Sequence, residues 1–210
     1  MTSESRQHQR NDDHEGEVGA RPTRRGIKLF RGRDAVAMAE SGAMSAPQFD
    51  ADDMKALAED GPRPATAALG IHDTLVFQGE GDAGGSLVRA WLAPHYVLPR
   101  HSHNGDCLYY IVEGAITMGA QQLGAGDGFF VPSNAPYAYE AGPDGAVVLE
   151  FRTQTSFDMQ IPGGQLERWR RMAVVAEEHG ERWIELRSKA TGLSPTLKPS
   201  AIAYDPEVVC

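Results

Sequence analysis

The run 99–114, PRHSHNGDCLYYIVEG, sets His101 and His103 one residue apart, ahead of Cys107 and Tyr109. Side chains alternate between faces on extended chain, so the two imidazoles point the same way. Cys107, Tyr109 and Ile111 do likewise if the strand resumes after a turn at 104–106. That face then carries two imidazoles, a thiol and a phenol, groups whose chemistry is metal ligation, hydrogen bonding and proton transfer. Gly114 closes the run. His95 stands too far up the extended chain from His101 to share a centre with it, at ~3.3 Å per residue, and reads as a turn or rim residue.

Such a face needs a sheet to hold it. The runs 74–78, 87–92, 107–112, 115–118, 128–131, 137–140 and 147–153 have strand texture, and between them lie GEGDAGG, APHYVLP, HNGD, VEG, GAGDG, PSNAP and AGPDG, which is turn chemistry. Short strands at this spacing make an antiparallel sandwich or barrel, so an all-β domain is expected over 63–155. Trp91, Tyr109, Phe130, Tyr139 and Phe151 are large enough to line its cavity. Arg89 shares a strand face with Trp91, and Glu150 shares one with Arg152. Solvent is the expected surrounding of Arg152, whereas an inward Glu150 becomes a candidate general acid or base, because an apolar cavity raises a carboxyl pKa.

The ends read differently. Residues 1–26 hold Val18 as their only large aliphatic after Met1, too little to offset the entropy of ordering, and a disordered tail with solvated His8 and His14 is expected. Segment 27–62 reads as an N-terminal arm with a strand at 27–30, a helical turn opened by Asp34 and stopped by Gly42, and a helix from Asp50 carrying Met54, Leu57 and Ala58 at i, i+3, i+4. Its narrow apolar face calls for packing outside the main domain or on a second subunit. In 156–210, Leu166, Trp169, Ala173 and Ala176 mark a helix over 165–176, and an extended arm follows at 189–210, with Pro195, Pro199, Pro206 and an exposed Cys210.

A formal charge of −9 argues against a nucleic-acid backbone or an acidic membrane surface as partner. Two cysteines give no disulfide framework, and no run approaches the ~20 apolar residues of a membrane span, so a cytoplasmic location is expected.

The central residues resemble the cupin family. Its first motif, G-x5-H-x-H-x(3,4)-E-x6-G, is met by His101, His103 and Gly114, with Cys107 at the glutamate position. Its second, G-x5-P-x-G-x2-H-x3-N, is met by Gly126 and Pro132, with Asn134 in the place of glycine and Tyr137 in that of histidine. Asparagine tolerates positive φ better than other non-glycine residues, so the turn at Asn134 stays reasonable. The resemblance covers 66–153 and implies one jelly-roll barrel, a double-stranded β-helix, with short helical extensions at both ends.

The resemblance also implies a divalent transition metal (iron, zinc, manganese or nickel), which the family holds with three histidines and a glutamate. Two of those four positions are changed here, and three readings stay open. His101, His103 and Cys107 are the metal set, with Asp106 replacing Cys107 if the turn is tighter; or Cys107 is only the metal's neighbour, as in thiol dioxygenases, with Tyr109, Tyr137 or Tyr139 as its partner; or the pocket is metal-free and His101, His103 and Tyr137 hydrogen-bond an organic ligand. The expected function is therefore either a metal-dependent dioxygenase, lyase or isomerase acting on a small organic molecule or a non-catalytic ligand-binding or sensor protein. In the enzyme, Tyr109 or Tyr137 would handle protons, and Trp91, Phe130, Tyr139, Glu150 and Phe151 would line the pocket. A homodimer is expected, because a small barrel leaves apolar sheet faces that short helices do not cover. Deleting residues 1–26 should leave the melting temperature within about two degrees, and a larger drop in a thermal melt would mean that the tail docks.

Overall fold

The apolar alternation read above builds one antiparallel sheet. The structure, a computed structural model, describes residues 27–60, 68–81 and 84–191; the expected disordered tail and most of the C-terminal arm lie outside the described residues. Seven strands, β1 (Val36–Ala37), β2 (Ile71–Gln78), β3 (Ser86–Leu92), β4 (Cys107–Met118), β5 (Gln121–Gly124), β6 (Gly128–Val131) and β7 (Glu140–Arg152), run in the order β1-β2-β3-β7-β4-β5, with β6 paired to β4. The fold is all-β at its centre, as expected. Among the described residues, however, the sheet does not close into a barrel: β1 and β5 are its two ends.

Two expected turns are absent. The stretch VEG lies inside β4, and AGPDG lies inside β7. Their turn residues are absorbed as bulges, with the β4–β7 register slipping between Ile111 and Glu113 and again between Gly114 and Ile116. Gly114 is at φ 73°, and a Cβ there would sit 2.0 Å from the Gly145 carbonyl oxygen, so two long strands cross closely only because no side chain intervenes.

One face of the sheet is the core. Cys107, Tyr109, Ile111 and Ile116 of β4 share one buried cluster with Ala90 and Leu92 of β3 and Val148 of β7. The open side is covered by helices. Helix α3 (Leu166–Thr191) buries Trp169, Met172, Ala173, Ala176 and Trp183, a stripe at helical spacing. It continues well past the expected end at 176, because Trp183 keeps the stripe going through an otherwise charged stretch and donates its Nε1–H to the Pro94 carbonyl at 2.9 Å.

The N-terminal arm also belongs to this core, which corrects the expectation that it packs elsewhere. No strand forms at 27–30, where Ile27, Leu29 and Phe30 are exposed. Instead β1 pairs with β2, Val36 opposite Leu75, and the short helix α1 (Met38–Ser41) stops at Gly42 with φ 68°. Met38 and Ala43 pack with Leu75, Val88 and Phe157 in a satellite cluster. Helix α2 (Ala51–Asp60), capped by Asp50 Oδ1 accepting from the Asp53 amide at 3.0 Å, lends Met54 to the main core. Gly114→Ala should cost more than about 1 kcal/mol in urea denaturation, because neither the positive φ nor the close crossing admits a methyl group; an unchanged midpoint would contradict the crossing.

Candidate functional site

Alternation on β7 puts Val148, Glu150 and Arg152 on the inner face, and the register sets Glu150 opposite Tyr109 and Arg152 opposite Cys107. The expectation that Arg152 faces water is therefore corrected: it is 7% exposed and lies at the centre of the site. Its inward neighbours leave it no path to solvent, so its charge is met internally. Nη1 donates to Cys107 Sγ at 2.9 Å and to Tyr109 Oη at 3.5 Å, while Nη2 donates to Glu150 Oε2 at 2.6 Å and to His103 Nε2 at 3.3 Å. The guanidinium also lies 4.2 Å from the Phe157 ring centroid. Burial opposes its charge, but the attraction of Glu150 together with Tyr109, Cys107 and Tyr137 more than offsets this and keeps it protonated.

The histidine pair sits on the segment before β4, which bridges antiparallel to Tyr137, with the Asn134 amide donating to the His103 carbonyl at 2.7 Å on the same edge, and is held on its other edge by Gln160, which exchanges backbone hydrogen bonds of 2.9 Å with Ser102. Asn134 adopts φ 62°, as its place in the turn required. A carbonyl can only accept, so Nδ1 of His101 donates to Pro99 O at 2.9 Å and Nδ1 of His103 donates to Asp158 O. Each Nε2 is then a lone-pair acceptor. His101 Nε2 accepts from the Tyr137 hydroxyl at 2.8 Å, and that hydroxyl is in turn hydrogen-bonded to Tyr109 Oη. The outcome is a directed chain of donors running Arg152, Tyr109, Tyr137, His101, Pro99 carbonyl. Burial holds His101 down to about 4 and His103 down to about 3, with the Arg152 charge adding to both, so the imidazoles are neutral. Burial pushes the Cys107 thiol up to about 12.

Beside this cluster lies a cavity of about 260 Å³. His101, His103, Tyr137, Tyr139, Glu150 and Arg152 line its polar end; Met38, Met44 and Phe49 of the arm, Met159, and Trp169 and Met172 of α3 line the rest. Asp73 of β2 also faces it, with Oδ1 sealed from solvent and without a hydrogen-bond partner, and burial together with Glu150 raises its carboxyl to about 8. Burial likewise raises Glu150, against the pull of Arg152.

Of the residues expected in the pocket, His101, His103, Tyr137, Tyr139 and Glu150 come together, and Cys107 and Tyr109 stand behind them on Arg152. Phe130 and Phe151 do not reach the pocket: they are 58% and 45% exposed, because the same alternation that turns Tyr109 and Arg152 inward turns them out. Trp91 is buried in the main core and does not line the cavity. Asp106 is engaged elsewhere, accepting from the Ser133 amide at 2.8 Å. His95 is an exposed turn residue at φ 61°, stacked on His179 at 5.0 Å and absent from the cavity lining. Sequence reasoning missed Asp73 and the methionines of the arm; Asp73 alternates with Leu75 on β2, which was the available signal.

The residues present do not fit a bound metal cation. Both Nε2 atoms are spent on Tyr137 and Arg152, the thiol is held neutral, and the site already contains a permanent positive charge 3.3 Å from His103 Nε2. Among the described residues, no three His, Cys, Asp or Glu side chains converge on a point.

Solved structures with similar folds include an RmlC-like cupin from Shewanella frigidimarina NCIMB 400, 24% identical over 40% of this chain and 75% of that chain, TM-score 0.34. KdgF from Halomonas sp. is 24% identical over 40% of this chain and 82% of that chain, TM-score 0.35. An oxalate decarboxylase from Bacillus subtilis is 20% identical over 42% of this chain and 27% of that chain, TM-score 0.37. No protein-family model matches the sequence. No curated protein matches it. Among the described residues, no helix is long and apolar enough to cross a membrane.

The neutral histidines set an acid limb of stability. Their folded pKa values lie below the ordinary 6.5, so between pH 6.5 and about 4 the unfolded chain binds protons that the folded chain does not. Their contribution is whole above pH 6.5 and falls with acid by up to about 1.4 kcal/mol per pH unit per histidine. Urea denaturation at pH 7, 6 and 5 should show a shallower decline for the double variant His101→Gln, His103→Gln; an equal slope would show that other groups set the limb.

Proposed function

We propose that this chain binds a small, largely apolar organic molecule in the cavity beside Arg152 and does so without a metal ion. One observation carries the reading: the guanidinium of Arg152, tied to Glu150, His103, Cys107 and Tyr109, stands where a cation would have to sit among the pocket's donors. The cavity volume suits a molecule of a dozen or so heavy atoms, with methionines and Trp169 against its apolar part and Tyr137, Tyr139 and Asp73 against a hydroxyl or carbonyl end. Four methionines of the wall give it adaptable packing.

A second reading, proton transfer on the bound molecule, is favoured by the pair Asp73 and Glu150. One carboxyl keeps its proton to about pH 8, the other is ion-paired with Arg152, and both face one cavity, an arrangement that separates an acid from a base. Solvent-deuterium incorporation into the bound molecule, lost in Asp73→Asn while binding persists, would establish turnover.

Protein purified without chelator and offered zinc, iron, manganese and nickel in turn should take up none stoichiometrically at micromolar concentration. Small aromatic alcohols and ketones should raise its melting temperature, and Met172→Lys, which puts a charge on the cavity wall, should abolish that rise. Stoichiometric metal on the wild-type chain, lost with His101→Ala, would overturn the metal-free reading.

A further inference from the structure

The outward-turned residues that fail to line the pocket fall into register with one another. On the outer face, Phe77 of β2 is paired with Leu87 of β3, Leu87 with Phe151 of β7, Phe151 with Leu108 of β4, and Leu108 with Phe130 of β6. One row therefore crosses five strands and reads Phe-Leu-Phe-Leu-Phe. Strands lie about 4.8 Å apart, so the row is roughly 19 Å long. No helix covers it among the described residues: Leu108 is 50% exposed, Phe130 58% and Phe151 45%. Phe30, 53% exposed, extends it at the β2 end with its ring 5.6 Å from that of Phe77. The next row holds Tyr110, 45% exposed, and Leu149 opposite it, with Arg89 as its one charge.

We infer that this face is the interface with a second copy of the chain, packed sheet on sheet. The row is a palindrome about Phe151. A two-fold axis in the interface and parallel to the strands sets Phe151 on Phe151 of the partner subunit, lays each end phenylalanine on the opposite end of the partner's row, and lays leucine on leucine. An isologous contact demands this self-complementarity, and a row without charge meets its own copy with no like charges opposed. Half-exposed aromatic and aliphatic side chains offer on the order of 100 Å² each, so Phe30, Leu108, Tyr110, Val112, Phe130 and Phe151 supply most of the roughly 800 Å² per partner that a stable interface buries. A chain of net charge −9 is repelled by an anionic membrane, and the self-complementary order of the row makes a second copy the occupant that the pattern fits.

The test is the mass of the full chain in solution, by light scattering with reductant present so that Cys210 forms no cross-link, from about one to a few hundred micromolar. Wild-type protein should have twice the chain mass. Leu108→Lys with Phe130→Lys should reduce it to the chain mass with unchanged circular dichroism, because both side chains leave the core untouched, and Leu108→Asn should weaken the dimer at least tenfold. A wild-type chain that is monomeric throughout overturns the proposal, as does a dimer that survives the double substitution. So does a dimer that forms only after residues 192–210 are removed, since the chain's own tail would then be the occupant.

Discussion

A permanent positive charge in a dry interior constrains the rest of this molecule. A guanidinium cannot neutralise itself by giving up its proton at any ordinary pH, so its surroundings must meet it. Here the four Nη hydrogens find four different acceptors, and three of these, Glu150, Cys107 and Tyr109, are fixed by strand register rather than by side-chain choice. The fourth, His103, is turned to accept because its other nitrogen is committed to a carbonyl. The phenol direction follows from that one charge, and the Tyr109–Tyr137–His101 chain is its continuation.

The polar cluster also explains why the pocket is built from distant parts of the sequence. A cavity with a charged, hydrogen-bonded floor needs apolar walls to keep water from competing with those hydrogen bonds. The strands alone cannot provide the walls, because the sheet stays open between β1 and β5. The arm supplies Met38, Met44 and Phe49, and α3 supplies Trp169 and Met172. Arm and α3 are tied together by Asp53, whose carboxylate accepts from the Gln165 amide at 2.9 Å at the start of α3. Gln165 in turn holds the segment that carries the histidines, through the Arg100 amide and carbonyl at 2.8 Å.

Much of this was legible in the sequence, where a local rule decides the matter. The antiparallel sheet, the shared face of His101 and His103, the turn at Asn134 and the stop at Gly42 each rest on alternation or on backbone conformation, and the structure reproduces them. What was not legible depends on partners far away in sequence. Arg152 read as a surface residue because a lone arginine on a strand next to Phe151 gives no hint that Glu150, Cys107 and His103 will surround it. Phe130 and Phe151 read as pocket residues because size was taken as a sign of burial, although their parity relative to Tyr109 and Arg152 already placed them outside. The glycines of VEG and AGPDG read as turns because a bulge and a turn use the same residue, and only the opposing strand tells them apart.

The position of β7 governs the order in which the fold can be completed. It lies between β3 and β4 at the middle of the sheet, yet it is the last of the described strands to leave the ribosome. Until 140–152 emerge, β1 with β2 and β3, and β4 with β5 and β6, can form only as two separate fragments, each with the edge that β7 will pair still open and each with two of the five residues of the apolar outer row. Closing them is a single late insertion of thirteen residues that satisfies both edges and introduces Glu150 and Arg152 together. The nascent chain is therefore most prone to aggregation just before that insertion, and the ion pair reaches the interior with its two charges already adjacent on one strand.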